Sequence, residues 1–199
     1  MNSQVFQYNE NFVLECGDVL PGLEVAYCTY GTLNADKSNV VWVCHALTAS
    51  ADVADWWPTL IGNGEYFDPA NHFIICANIL GSCYGTTGPL SINPQTGKAY
   101  YHSFPKVTIR DIVKAHRLLA HHLQIEKIAV LIGGSVGGQQ VLEWAIEEPE
   151  RFGLVVPIAT NAFHSPWGIA FNESQRLAIE ADATWLENKD DAGTAGLKA

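Results

Sequence analysis

The stretch Ile128-Ala129-Val130-Leu131-Ile132-Gly133-Gly134-Ser135-Val136-Gly137-Gly138 decides how this chain is read. Five apolar residues run unbroken into a G-x-S-x-G pattern, and an amphipathic stretch follows from about Val136 to Glu148, ended by Pro149. An apolar run before the motif and a helix after it are the context that turns this pattern into a nucleophile elbow. A turn passing directly from strand to helix forces the serine backbone into a strained conformation. Side chains two residues away on either side would collide, so Gly133 and Gly137 are required there. The turn lifts Ser135 Oγ above the sheet edge, and the helix N-terminus brings backbone N–H groups and a positive dipole end. Both favour the oxyanion formed when a serine attacks an acyl carbonyl. A glycine-rich turn that merely joins two elements is the plain alternative. A dinucleotide-binding loop needs G-x-G-x-x-G, which the glycine spacing does not give.

Outward from this stretch the same alternation recurs. Val40–Cys44, Phe73–Ala77 and Leu154–Ile158 are continuous apolar runs, the pattern of strands covered on both faces, and Leu23–Tyr30 reads as an outer strand. Thr108 and Asp111 form a helix-start signal, followed by an apolar stripe at Ile109, Ile112, Val113, Leu119, Ala120 and Leu123. Strand–helix alternation of this kind predicts an α/β fold, a mostly parallel sheet with helices on both faces. Residues 78–105 are rich in Gly, Ser, Thr, Asn and Pro, and a loop of that length is usually functional. After Thr160 the alternation stops, and Asn172 is read as the cap of a helix reaching about Trp185.

An oxyanion hole needs a second donor, from the loop after an earlier central strand. His45-Ala46-Leu47-Thr48 directly follows the Val40–Cys44 run, so the Leu47 N–H is the natural partner of the Val136 N–H. His45 is then a loop-shaping residue that hydrogen-bonds backbone, not a base. The general base is the missing part. In the order Ser, Asp or Glu, His, the one downstream histidine, His164, precedes Asp182, Asp190 and Asp191 and fits badly. His116, His121 and His122 lack a metal-ligand spacing and read as solvent-side helix residues; no metal site is expected.

Composition sets the outer limits. With 48% apolar and 16% charged residues in 199, the chain has ample material for a packed core and is not a disordered one. Eleven basic against 21 acidic residues give a net charge of −10, which disfavours nucleic-acid binding. No run approaches the roughly 18 apolar residues of a membrane span, and the start carries no secretory signal. Five cysteines without CxxC or zinc spacing, three of them in apolar runs, indicate reduced buried thiols and a cytoplasmic location.

Beyond the elbow, five segments carry a more specific likeness: Tyr30–Asn34, His45–Thr48, Cys76–Pro89, Phe104–Asp111 and Ile169–Asn172. With them the chain resembles the homoserine O-acetyltransferase family, enzymes of the α/β-hydrolase fold, from about Tyr30 to Trp185. The resemblance implies that Ser135 is the acylated nucleophile and that Leu47 and Val136 are the oxyanion donors. It implies acetyl-CoA as co-substrate with no bound cofactor, L-homoserine as acceptor, a place in methionine biosynthesis, and a homodimer of the complete enzyme. The family's catalytic Asp and His have no match in residues 1–199. Residues 1–163 are therefore expected to be the N-terminal part of the hydrolase core, and 164–199 the start of a helical lid in which the chain is truncated. On that expectation the isolated chain is inactive for want of a base. An esterase on the same fold and a non-catalytic fragment are the other readings.

Overall fold

The apolar runs become strands because β-branched residues fit a pleated, two-sided surface, and here both sides are covered. The computed structural model describes residues 3–199. In chain order the elements are β1 (Ser3–Tyr8), β2 (Phe12–Val13), β3 (Val19–Leu20), β4 (Leu23–Tyr30), β5 (Val40–Cys44), α1 (Val53–Trp56), β6 (Phe73–Ala77), β7 (Ile92–Asn93) and β8 (Lys98–Ala99). Then come α2 (Ile109–His122), β9 (Ile128–Gly134), α3 (Val136–Glu147), β10 (Phe152–Ile158), α4 (Pro166–Glu180) and α5 (Thr194–Lys198).

Six strands form one sheet in the order β1-β4-β6-β5-β9-β10. Neighbours from β6 to β10 pair parallel, and β1 and β4 add an antiparallel margin. The expected α/β architecture is therefore present, although β4 is one strand in from the edge because β1 covers it. The residues of β5 alternate between two packed layers. Val41 and Val43 face a core with Val53, Ile61 and Phe67, and Trp42 meets Trp144 of α3 edge-on at 5.0 Å. Helices thus cover both faces, α1 on one side and α2 with α3 on the other. The register fixes where the strands stop. Cys44 pairs with Gly133, and Ile158 with Gly134, so β5, β9 and β10 end level with one another at the same sheet edge.

The chain divides into two compact units. The first, up to Gly88 and Pro105–Thr160, holds the six-stranded sheet with α1, α2 and α3. Its α2 begins in a full capping box. Thr108 Oγ1 accepts from the Asp111 N–H, and the Asp111 carboxylate accepts from the Thr108 N–H. The second unit is Pro89–Phe104 with Asn161–Ala199, containing β7, β8, α4 and α5. Within it the His102 ring meets Trp185 edge-on at 4.5 Å, and Tyr101 donates to Asp190 at 2.9 Å. The Asp182 carboxylate accepts the N–H groups of Thr184 and Gly196, and these bonds hold its pKa down at about 2. The helix expected to start at Asn172 starts earlier. Ser165 Oγ accepts from the Gly168 N–H and Pro166 occupies the first turn, so Asn172 lies mid-helix.

Candidate active site

Ser135 sits between β9 and α3 with φ 56° and ψ −123°, in a region that L-residues rarely occupy. Such strain costs about 1–3 kcal/mol and persists only where the surroundings over-determine it. Here they do. The Ser135 N–H donates to Ile158 O at 3.0 Å, and its C=O accepts from Thr160 Oγ1 at 2.8 Å and from the Gln139 N–H at 3.2 Å. The glycines give the room. A Cβ on Gly133 would lie 2.6 Å from Gly137 O and 2.8 Å from Cys44 O, and one on Gly137 would overlap Cys44 O. The elbow is thus packed backbone to backbone against the end of β5, with Ser135 itself exposed.

The second expected donor lies in the turn after β5. The Ala49 N–H closes it onto Ala46 O at 3.1 Å, which leaves Leu47 at its exposed centre with its amide unused by the turn. His45 builds this turn, as the sequence suggested, but over a longer range than its neighbours. Its Nδ1 donates to Ala46 O at 2.7 Å, while Nε2 accepts from the Ile79 N–H at 3.1 Å, across 34 residues. The pair of bonds fixes one neutral tautomer. Burial lowers the pKa of the ring, against a smaller opposing effect of the Ala46 carbonyl.

Asn78 holds the other side of the same region. Its Oδ1 accepts from the Ala51 N–H and its Nδ2 donates to Tyr84 O, both at 2.8 Å. Thr86 Oγ1 donates to Asn78 O and accepts from the Ala26 N–H. The Gly- and Thr-rich segment after β6 is therefore scaffolding that ties the loop to β4.

One expectation changes. His116 is not on the solvent side: it is fully buried between Trp42 and Trp144. Burial first, and then the nearby His45, push its pKa down to about 3. Its position four residues after Ile112 and three before Leu119 places it on the apolar stripe, a signal present in the sequence. The basic stretch of α2 is also committed. Arg110 pairs with Glu15 at 2.5 Å and Glu143 at 2.7 Å, Arg117 pairs with Glu147 at 2.9 Å and Glu148 at 3.1 Å, and Lys114 donates to Val13 O. His164, the ill-placed downstream histidine, belongs to the second unit.

Sequence reasoning missed Gln140. It is fully buried one turn into α3, and its Nε2 donates to Val136 O at 3.2 Å and His45 O at 3.4 Å. The clue was a primary amide on the inward stripe Gly137, Gln140, Val141, Trp144.

Taken together, an exposed serine hydroxyl at a helix N-terminus, beside a turn with an unused amide, can attack an acyl carbonyl and stabilise the oxyanion. Comparison with known proteins agrees with this geometry. Residues 39–194 match the alpha/beta hydrolase fold family. A homoserine O-acetyltransferase of Cyclobacterium marinum is 50% identical over 198 residues, covering 100% of this chain and 56% of the relative. Another from Chlorobaculum tepidum is 52% identical, covering 93% and 52%. The chain spans about half the length of the curated relatives it matches. Among solved structures, homoserine O-acetyltransferase from Bacillus anthracis superposes with a TM-score of 0.91 at 28% identity, covering 99% of this chain and 57% of that one. Esterase E22 gives 0.88 at 31%, covering 98% and 58%. The level strand ends, the strained serine between β9 and α3 and the match over residues 39–194 have one explanation: this chain belongs to the α/β hydrolase fold family.

Proposed function

We propose that the protein carries an acetyl group from acetyl-CoA to the side-chain hydroxyl of L-homoserine through an acyl-Ser135 intermediate, a step of methionine biosynthesis in the cytoplasm. The observation that carries this reading is the 50–52% identity to homoserine O-acetyltransferases along nearly all of the chain. Ser135 Oγ attacks the thioester carbonyl, the N–H groups of Leu47 and Val136 bind the resulting oxyanion, and the CoA thiolate leaves. The homoserine hydroxyl then attacks the acyl-serine, and the Ser135 alkoxide leaves and is reprotonated. Two attacks at one serine replace a direct transfer between two poorly aligned substrates. The proton transfers are assigned to an Asp and a His for which residues 1–199 hold no match. In this reading residues 1–199 alone turn over no substrate, residues 164–199 begin a helical insertion, and the complete enzyme is a homodimer.

The test uses the protein expressed from its complete reading frame, with acetyl-CoA and L-homoserine, following free thiol. Homoserine-dependent CoA release is expected, and Ser135→Ala should lower it by about 10⁴-fold or more while leaving the fold intact. Thiol release that ignores homoserine would instead favour the second reading, an esterase. The likeness to esterase E22 at 31% identity supports that alternative. Full activity in Ser135→Ala would remove Ser135 from its role.

A further inference from the structure

The two amides proposed to bind the oxyanion sit on separate pieces of chain, one opening α3 and one in the turn after β5. An oxyanion hole works only when both donors lie about 3 Å from the same oxygen, so their carriers must be held at a fixed separation. Gln140 bridges those carriers. Its two N–H bonds are divided between Val136 O, on the α3 side, and His45 O, on the turn side. The amide orientation is set by these contacts, since a flipped amide would press its oxygen against two carbonyl oxygens. The side chain is fully buried, and its Oε1 has no hydrogen-bond partner among the described residues. Packing alone would be better served here by a hydrocarbon, because burying a polar atom without a partner is destabilising. The amide is found where the two donor-bearing segments meet, and it spends its donors on one carbonyl from each.

We propose that Gln140 is a positioning residue that sets the spacing of the two oxyanion donors, and so acts on the rate of Ser135 acylation without touching substrate. The inference rests on the acyl-Ser135 reading above and not on the identity of the acceptor.

The test compares the complete wild-type protein with Gln140→Met, which keeps length and loses both donors, and Gln140→Asn, which keeps the amide but falls one methylene short. With p-nitrophenyl acetate as the acyl donor, the p-nitrophenolate burst gives the Ser135 acylation rate and, separately, the fraction of competent enzyme. The expected result is a burst rate about 10–100-fold lower in both variants, with amplitude and half-saturating concentration within about twofold of wild type. A purely structural role would lower amplitude and Tm and leave the rate of the surviving fraction unchanged. Burst rates within about twofold of wild type therefore overturn the proposal, and if Gln140→Met does not fold, Gln140→Asn decides by the same criterion. A wild-type burst without homoserine-dependent CoA release removes the acceptor assignment and leaves this inference standing. Absence of an acetyl group on Ser135 in wild-type protein quenched during turnover of p-nitrophenyl acetate, read by mass, removes the acyl-Ser135 reading and this inference with it.

Discussion

The two turns that meet at the C-terminal edge of β5 and β9 are held by opposite means. The elbow at Ser135 is shaped by excluded volume: a positive φ at Ser135, two glycines whose missing Cβ atoms admit neighbouring backbone, and a main-chain bond to Ile158 of β10. The turn at Ala46–Ala49 has no glycine and no positive φ. It is shaped by side-chain hydrogen bonds that tie it and its flanks to other elements: His45 to Ile79, Asn78 to Ala51, and Gln140 to His45. Geometry enforced by sterics tolerates almost no substitution at the crowded atom. Geometry enforced by hydrogen bonds is softer, and its strength depends on protonation and on distant residues.

The hardest test of the steric side is Gly137→Ala. The new Cβ would overlap Cys44 O, a backbone atom that no rotamer change can move. A loss of about 3 kcal/mol or more is expected, read as a collapse of soluble yield or of the urea midpoint. A Tm within a few degrees of wild type would show that the elbow is not packed as described. On the hydrogen-bonded side, His45→Asn retains a donor near Ala46 O but strands the buried Ile79 N–H, whereas His45→Gln can still accept from it. Urea denaturation should give a loss of about 1–3 kcal/mol for His45→Asn and a smaller one for His45→Gln. Equal losses would mean that the Ile79 bond contributes nothing.

Acid should act on neither turn but on the core packed against β5. Buried His116 packs between Trp42 and Trp144, with His45 the titratable neighbour that affects it, and its pKa is held at about 3. An unfolded histidine takes a proton near pH 6.5. Between those values the unfolded state binds the extra proton, so stability is full above about 6.5 and falls as pH is lowered. The loss from this group is about 2 kcal/mol by pH 5. The drop in Tm from pH 7 to pH 5 should shrink in His116→Leu, and an unchanged drop would remove His116 as the cause. The smallest effect belongs to Gly134→Ala. The nearest atom to its Cβ would be Ile158 O at an ordinary 3.8 Å, so thermal unfolding should change by less than about 0.5 kcal/mol. A large loss there would mean that the elbow needs glycine for reasons other than the two clashes.

The elbow is legible in sequence because its constraint is local: Gly133, Ser135 and Gly137 lie within five residues and the strand before them is a plain apolar run. The sheet strands and the Thr108–Asp111 start of α2 are legible for the same reason. The start of α4 is harder to place because Asn172 and Ser165 are both good caps, and the Pro166 beside Ser165 is the deciding neighbour. His116 misleads because its residue type points to solvent while its place on the apolar stripe points to the core. Gln140 carries no local motif at all, since its partners are the carbonyls of residue 136 on its own helix and residue 45 on another element.

By itself the sequence determined the parallel strands, the serine elbow and the turn that faces it, because each follows from apolar periodicity or from steric rules acting over a few residues. Only the tertiary structure decided how the elbow and the turn are joined. The pairing of Cys44 with Gly133, the His45–Ile79 bond and the Gln140 bridge connect residues 34 to 95 positions apart. Contacts of that separation are set by which strands become neighbours, which no single window of sequence specifies.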